Sequence, residues 1–241
     1  MRISVIVCTY NRARFLRLCG ESWTALKRLA GAEAEFLIVD NNSDDDTAAA
    51  SRALVTAIKA KPGWTASYHF EPVQGLSAAR NRGVAEAAGD WVAFLDDECL
   101  TPADWLLRLE EEIRAQAPDA IGGPYRGRFT PDGAYPPSFL ERYGDSHHLR
   151  DGWEARWLSK PGLSGGNIAV RRALLREAGG FDPALGMNGA VIAFGEESEL
   201  QTRLLARGAK LYFSPRLELV HFIRPEKSDL NAGLTAARRR A

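Results

Sequence analysis

The stretch Trp91-Val92-Ala93-Phe94-Leu95-Asp96-Asp97-Glu98 joins an apolar run directly to three carboxylates. The apolar run is typical of a buried parallel strand. Adjacent carboxylates repel one another, and a hard divalent cation on a phosphate-bearing ligand is the usual way to offset that repulsion. In an open α/β sheet, ligands bind beyond the carboxyl ends of the strands, where these acids would lie. The alternative is a solvated acidic loop that leads into a helix starting at residues 101–104.

The composition is that of an ordinary globular protein, with 45% hydrophobic and 26% charged residues among 241. The formal net charge is zero, so nothing predicts nucleic-acid binding through bulk electrostatics. Cys8, Cys19 and Cys99 form neither a disulfide framework nor a metal-ligand spacing, which favours a reducing cytosol. The apolar segment 3–8 is too short for a signal peptide, and no apolar stretch is long enough to cross a bilayer. We therefore expect a cytoplasmic protein with at most peripheral membrane contact, for example at the inner face of the membrane.

Strand and helix patterns alternate along the first half of the chain. Short apolar runs predict strands at residues 3–8, 36–39, 66–70 and 91–95. Helical spacing of apolar residues predicts helices from about residue 15 to Gly31, over 47–61 and over 76–88. This order predicts an α/β fold with a doubly wound, right-handed, mostly parallel sheet.

The second half is less regular and is rich in Pro, Gly and aromatic residues between positions 122 and 166. Weak strand signals occupy residues 120–129, and residues 163–170 are typical of a turn and a strand that lead into a helix at 172–178. A further helix is predicted at 196–207, followed by strands at 210–213 and 217–221. We interpret residues 1–121 and 122–225 as two halves of one domain, and residues 226–241 as a polar, basic tail.

Seven motifs, taken in order, resemble those of a known family. They are Val5-Ile6-Val7-Cys8-Thr9-Tyr10-Asn11-Arg12, Val39-Asp40-Asn41-Asn42-Ser43, Gly75-Leu76-Ser77-Ala78-Ala79-Arg80-Asn81-Arg82-Gly83, Phe94-Leu95-Asp96-Asp97-Glu98, Ser164-Gly165-Gly166-Asn167, Gly179-Gly180-Phe181-Asp182 and Gly195-Glu196-Glu197-Ser198-Glu199-Leu200. From the first strand to His221 the chain resembles the inverting family-2 glycosyltransferases of GT-A fold. The resemblance implies one GT-A catalytic domain over residues 1–225, with a nucleotide-sugar-binding half at 1–121 and an acceptor half at 122–225.

The ends of the first two strands are the expected nucleotide site. The resemblance implies that four residues after the first strand bind the donor, with the second of them near the base: Thr9, Tyr10, Asn11 and Arg12. Asp40 ends the second strand, where a carboxylate can accept hydrogen bonds from a base imide or a ribose hydroxyl. Its alternative role is a helix N-cap, which Ser43 or Asp46 could fill instead.

Arg80 lies in a helix whose start resembles a family element that faces the nucleotide. Its planar guanidinium suits either the Asp96 carboxylate or the donor diphosphate. The alternative is an ordinary surface arginine, with Gly83 present for helix packing.

The acidic triplet is the expected metal site. In the family the first acid, here Asp96, faces the ribose, and a later acid binds the metal. Glu98 stands where aspartate is commoner, so the resemblance leaves open whether Asp97 or Glu98 is the direct ligand of Mn2+ or Mg2+; Asp97 is also a candidate contact of the donor. His221 resembles the C-terminal histidine that completes the metal site in many GT-A enzymes.

Glu196 and Glu197 match the acidic pair that carries the catalytic base in the family, and Glu197 falls on the usual aspartate. An inverting transfer needs a carboxylate that takes the proton of the acceptor hydroxyl. The alternative is an acidic pair that the helix dipole favours, and which of the two is the base stays open. The resemblance implies that Gly165, Gly166 and Asn167 line the sugar and acceptor side, where glycines permit a close approach.

The predicted function is a metal-dependent inverting glycosyltransferase that uses a nucleotide-diphosphate sugar, with UDP as the favoured nucleotide. The expected acceptor is a saccharide or lipid-linked saccharide in polysaccharide or glycoconjugate assembly, and a homodimer is left open. Two alternatives are a catalytically idle sugar-nucleotide-binding partner subunit and a nucleotidyltransferase. The latter would require a glycine-rich, basic loop after the first strand, which the chain does not have there. Residues 183–194 are predicted to form a lid over the bound sugar, with Gly186 and Gly189 as hinges.

Overall fold

The structure, a computed structural model, describes residues 1–131, 133–137, 153–188 and 194–225. The predicted tail at 226–241 and the central part of the predicted lid, residues 189–193, lie outside the described residues.

Four parallel strands form the first half of the main sheet. They are β1 (Arg2–Thr9), β2 (Glu33–Asp40), β3 (Trp64–Phe70) and β4 (Trp91–Asp96). They are connected by α1 (Ala13–Thr24), α2 (Thr47–Lys59) and α3 (Leu76–Glu86). The strands lie in the order β3-β2-β1-β4, and each pairs in parallel with its neighbours. All four therefore end at the same edge of the sheet, which is where the predicted nucleotide site lies.

The second half completes this sheet and adds a small one. Its elements are β5 (Cys99–Leu100), α4 (Trp105–Gln116), β6 (Ala120–Gly122), β7 (Tyr125–Phe129), β8 (Arg156–Leu158), β9 (Asn167–Arg171), α5 (Arg172–Glu177), α6 (Glu196–Ala206), β10 (Leu211–Phe213), a 3-10 turn (Pro215–Leu217) and β11 (Leu219–Ile223). The main sheet continues from β4 as β9-β6-β10-β8, in which β9 runs antiparallel to both β4 and β6. A three-stranded sheet, β5-β11-β7, places β11 beside the end of β4.

Both faces of the main sheet are covered, as its apolar strands require. Alternate residues of one strand point to opposite faces, so that Val5 packs with Trp23 and Trp105 on one side while Ile6 packs with Phe94 and Phe181 on the other. In the part of the chain that the structure describes, no helix combines the length and the apolar character that a bilayer crossing requires.

The predicted fold class is confirmed, and several boundaries are corrected. Helix α1 ends at Thr24 instead of near Gly31, because Leu26 reaches the core from the turn that follows and not from a continued helix. The last strand begins at Leu219 instead of Leu217, since Pro215 opens a 3-10 turn. The short strands β5 and β8 had no sequence signal. The division into two halves stays a prediction. The β4–β9 pairing joins strands of both halves in one sheet.

Candidate active site

The turn after β1 is fastened to the loop after β2. Asn11 has a φ of 52°, and its backbone N–H donates to the Ser43 hydroxyl at 2.9 Å. Its side-chain oxygen accepts from the backbone N–H of Asp44 at 2.9 Å. The Arg12 N–H donates to the Thr47 hydroxyl at 2.9 Å. These bonds hold the four predicted donor-binding residues of this turn at the carboxyl edge of the sheet, where Tyr10 is half-buried.

Asp40 is buried and is not a helix cap. Its Oδ1 accepts from the Ser43 N–H at 3.1 Å and its Oδ2 from the Tyr68 hydroxyl at 2.9 Å. Burial and the bond to Asp40 raise the pKa of Tyr68 to about 12. Asp46 occupies the N-cap position of α2, while Asp45 accepts from the Thr47 N–H at 2.8 Å. The carboxylate of Asp40 therefore supports the loop, and its contact with the nucleotide stays a prediction.

Asn41 was missed from the sequence, although a buried amide at a strand end was a signal for it. Its amide nitrogen donates to the Val73 carbonyl at 2.7 Å, and its side-chain oxygen accepts from the Gly75 N–H at 2.8 Å. Asn41 thus fixes the loop that leads into α3.

The acidic triplet is divided between two environments. Asp96 and Glu98 turn toward His221 on β11, whose Nε2 lies 3.5 Å from Asp96 Oδ2 and 3.3 Å from Glu98 Oε1. Asp97 is half-buried and interacts electrostatically with Arg12. Burial and the neighbouring charge of Glu98 raise the pKa of Asp97 to about 7, and Arg12 partly offsets the rise. Of the two acids left open as metal ligand, the structure brings only Glu98 beside His221.

His221 and Glu98 also contact residues that do not belong to the acidic triplet. The His221 ring lies 5.0 Å from the Tyr125 ring, centroid to centroid, and Arg224 Nε lies 2.5 Å from the second oxygen of Glu98. Cys99 joins this group, because a carboxylate oxygen of Asp96, the Cys99 Sγ and a ring nitrogen of His221 lie within 4.8 Å of one another. The cysteines have no metal-ligand spacing along the sequence, and only the fold brings Cys99 beside Asp96 and His221. Its position directly after the acidic triplet was the available signal.

Arg80 is buried and pairs with Glu196, so the surface alternative is wrong. Its Nη1 donates to Glu196 Oε1 at 2.8 Å. The guanidinium carbon lies 5.8 Å from the Phe94 ring centroid and 5.1 Å from that of Phe181, within the range of cation–π attraction. Burial alone would lower the pKa of Arg80, but the charges of Glu196 and Asp96 raise it. This cation therefore links α3 to the first turn of α6.

Glu196 and Glu197 open α6 after Gly195, which adopts a φ of 105°. Glu196 is buried and neutralised by Arg80, whereas Glu197 is half-buried. Burial, and then the charge of Glu196, raise the pKa of Glu197. A raised pKa makes a carboxylate a better proton acceptor near neutral pH. The geometry thus favours Glu197 over Glu196 as a base.

The turn before β9 packs tightly against this site. A Cβ on Gly166 would lie 2.1 Å from the Asp96 carboxylate carbon, and one on Gly165 would lie 2.7 Å from Arg80 Nη2. Both glycines therefore make room for protein side chains. Asn167 is fully buried, and its amide donates to the Leu217 carbonyl at 2.7 Å. This position is part of the framework, so the structure does not bring Asn167 to an exposed sugar or acceptor surface.

The described part of the predicted lid contacts the start of α3. The Leu76 N–H donates to the Met187 carbonyl and the Ser77 hydroxyl to the Leu185 carbonyl, each at 2.8 Å. These bonds anchor one end of the segment.

Comparisons with solved structures agree with this architecture. A mannosyltransferase from Pyrobaculum calidifontis, PcManGT in complex with GDP-Man and Mn2+, superposes with a TM-score of 0.65 at 20% identity, over 91% of this chain and 56% of that one. TarS 1-349 of S. aureus in complex with UDP-GlcNAc gives a TM-score of 0.63 at 18% identity, over 93% and 59%. At these identities the likeness shows the fold, which is GT-A.

Sequence comparisons identify the family. The succinoglycan biosynthesis protein ExoM of Rhizobium meliloti (strain 1021) is 29% identical over 215 residues, which are 89% of this chain and 65% of ExoM. The chain thus spans less than two thirds of that relative. The family profile described as Glycosyl transferase family 2 matches residues 4–179. The chain belongs to glycosyl transferase family 2.

Proposed function

We propose that the protein is a metal-dependent, inverting glycosyltransferase that moves a sugar from a nucleoside-diphosphate donor to a hydroxyl acceptor. The observation that carries the proposal is the meeting of two groups at one sheet edge. Asp96, Glu98 and His221 form one group, and Glu196 with Glu197 forms the other. Arg80 bonds to the second group, and its charge interacts with Asp96 in the first, so the two are electrostatically continuous.

The first group suits a divalent cation. Two carboxylates and an imidazole are donors that Mn2+ accepts, and Mg2+ accepts the carboxylates. Asp96, Glu98 and His221 would hold the ion, which would offset the charge on the departing diphosphate. Arg80 adds a fixed positive charge behind this group, and its burial between two aromatic rings keeps that charge in place.

The second group supplies the base. Inversion requires a carboxylate on the acceptor side to take the proton of the attacking hydroxyl. Glu197 is our choice, since its pKa is raised while Glu196 is committed to Arg80. The proton passes from the acceptor oxygen to the Glu197 carboxylate, and Arg80 holds the neighbouring Glu196 in position.

Similar proteins support the proposed donor class and pathway. We take UDP as the nucleotide; solved neighbours were crystallised with GDP-Man and with UDP-GlcNAc, so both nucleotides occur on this fold. The name of ExoM supports polysaccharide assembly with a saccharide or lipid-linked saccharide acceptor. We propose that the reaction takes place in the cytoplasm, at the inner face of the membrane.

Calorimetry of UDP binding tests the proposal. We expect binding with Mn2+ that disappears with excess chelator, and that Asp96→Ala also removes. Glu177→Ala, which changes an exposed acid on α5, is the matched control and should bind UDP normally. Equal UDP affinity with Mn2+ and with chelator would disprove the metal requirement, whereas tighter binding of GDP would change only the donor.

A further inference from the structure

Cys99 and His221 stand directly opposite each other in the antiparallel β5–β11 pair. The Phe222 N–H donates to the Glu98 carbonyl at 2.9 Å, so the hydrogen-bonded pair is Glu98–Phe222 and the next pair, Cys99–His221, is a non-hydrogen-bonded pair. In an antiparallel ladder, the Cα atoms of a non-hydrogen-bonded pair lie about 4.5 Å apart, and their side chains are closer than those of a hydrogen-bonded pair. Opposite residues also project from the same face of the sheet. The thiol and the imidazole therefore share one side of β5–β11, the side on which Asp96 lies.

The spacing of the donor atoms suits a single ion. An oxygen of Asp96, the Cys99 Sγ and a nitrogen of His221 lie within 4.8 Å of one another. Metal–sulfur bonds of about 2.3 Å and metal–nitrogen bonds of about 2.0 Å place the sulfur and nitrogen ligands of one tetrahedral zinc ion about 3.5 Å apart. Donor atoms at the 4.8 Å limit would therefore have to approach by about 1.3 Å, which side-chain rotation can supply. Glu98 lies beside the same group, with its Oε1 3.3 Å from His221 Nε2.

We propose that the Cys99 sulfur is a direct ligand of the divalent cation, together with Asp96 and His221, and that the site consequently prefers Zn2+ or Co2+ to Mg2+. The inference deepens the proposed function, since it concerns the same metal site. A thiolate is a soft donor that Mg2+ does not select, whereas sulfur and imidazole together favour the later divalent metals. On binding, the thiol S–H bond breaks, the sulfur binds the metal, and one proton is released to the buffer.

Cobalt spectroscopy on the purified protein tests the inference without an activity assay. Wild type titrated with Co2+ should show a sulfur-to-cobalt charge-transfer band in the near ultraviolet. Cys99→Ser should lose the band and bind Zn2+ roughly a hundredfold or more weakly. Loss of a residue that merely supports a metal ligand already weakens metal binding by about ten- to a hundredfold, so loss of a ligand should cost at least as much. The matched control is the double variant Cys8→Ser/Cys19→Ser, in which Cys99 is the only remaining thiol. It should keep the band.

The outcomes separate this inference from the proposed function. Co2+ binding without a charge-transfer band in wild type, or a band that disappears in the double variant, overturns the Cys99 assignment and leaves a metal-dependent transferase intact. Failure of UDP to respond to any divalent cation overturns the proposed function itself. Because the single-thiol protein keeps the critical residue, the test remains decisive even if Cys99→Ser fails to fold.

Discussion

Glu196 and Glu197 are neighbours in sequence that occupy different electrostatic environments. Because Arg80 neutralises Glu196, only Glu197 combines partial exposure with a raised pKa. We expect Glu197→Gln to lower turnover about a hundredfold or more, as loss of a general base does, while UDP affinity stays unchanged. Steady-state kinetics paired with calorimetry measures both quantities. Near-normal turnover in Glu197→Gln, together with a large loss in Glu196→Gln, would reverse the assignment within the pair.

The same pair predicts the pH dependence of activity. A carboxylate accepts a proton only when ionised, so activity is lost as the pH falls through the pKa of Glu197. Burial and then the charge of Glu196 raise this pKa, which moves the acidic limb to higher pH than an unperturbed glutamate would give. Glu196→Gln removes the second cause, so its limb should shift to lower pH in a profile of kcat/KM. An unchanged limb would indicate that another group controls it.

For single residues of the site, the sequence predicted at which strand end they lie but not which side chains they contact. The apolar run before Asp96 indicated where the acids lie, but not that Asp96 and Glu98 lie beside His221. That arrangement depends on β11, more than a hundred residues later. The proximity of Cys99 to His221 was hidden for the same reason, since the β5–β11 register sets it.

At the scale of elements, the turn before β9 controls the position of Asp96. A methyl group on Gly166 would overlap the Asp96 carboxylate, so Gly166→Ala should displace it and weaken Mn2+-dependent UDP binding at least tenfold. Gly162→Ala is the matched control, because its Cβ meets its nearest atom, Leu158 Cδ1, at an ordinary 3.4 Å. Calorimetry of both variants with UDP and Mn2+ checks this. Equal, wild-type affinity in the two variants would contradict a tight fit at Gly166.

Whole elements were predictable where their own residues determine them. Strands β1, β2 and β4 are buried on both faces and therefore consist of nearly continuous apolar residues. The end of α1 was misplaced because Leu26 and Leu29 continue the helical spacing beyond the helix. Strands β5 and β8 have two and three residues, which is too short for a recognisable pattern of apolar residues. They are strands because they pair with β11 and β10.

At the scale of the molecule, one sheet ties the two predicted halves together. Strand β9 pairs with the edge of β4 that faces away from β1, although β9 follows β4 by some seventy residues. The paired residues run from Trp91–Arg171 to Leu95–Asn167. Phe94 on β4 also packs edge-on against Phe181, with ring centroids 5.3 Å apart. Residues 1–121 alone would therefore leave an unpaired strand edge and an exposed aromatic ring, which are features of aggregating chains.

We accordingly expect residues 1–225 to unfold as one cooperative unit. Tryptophan fluorescence should give the same urea midpoint as far-ultraviolet circular dichroism, which reports every element. The fluorescence comes from four tryptophans of the first half and two of the second: Trp23, Trp64, Trp91, Trp105, Trp153 and Trp157. UDP with Mn2+ should raise that midpoint, because a ligand that binds only the folded state stabilises all of it. The fragment 1–121 should show no cooperative transition. A fragment that unfolds cooperatively, or separate midpoints for the two probes in the full chain, would show instead that the nucleotide half is an independent domain to which the acceptor half is merely attached.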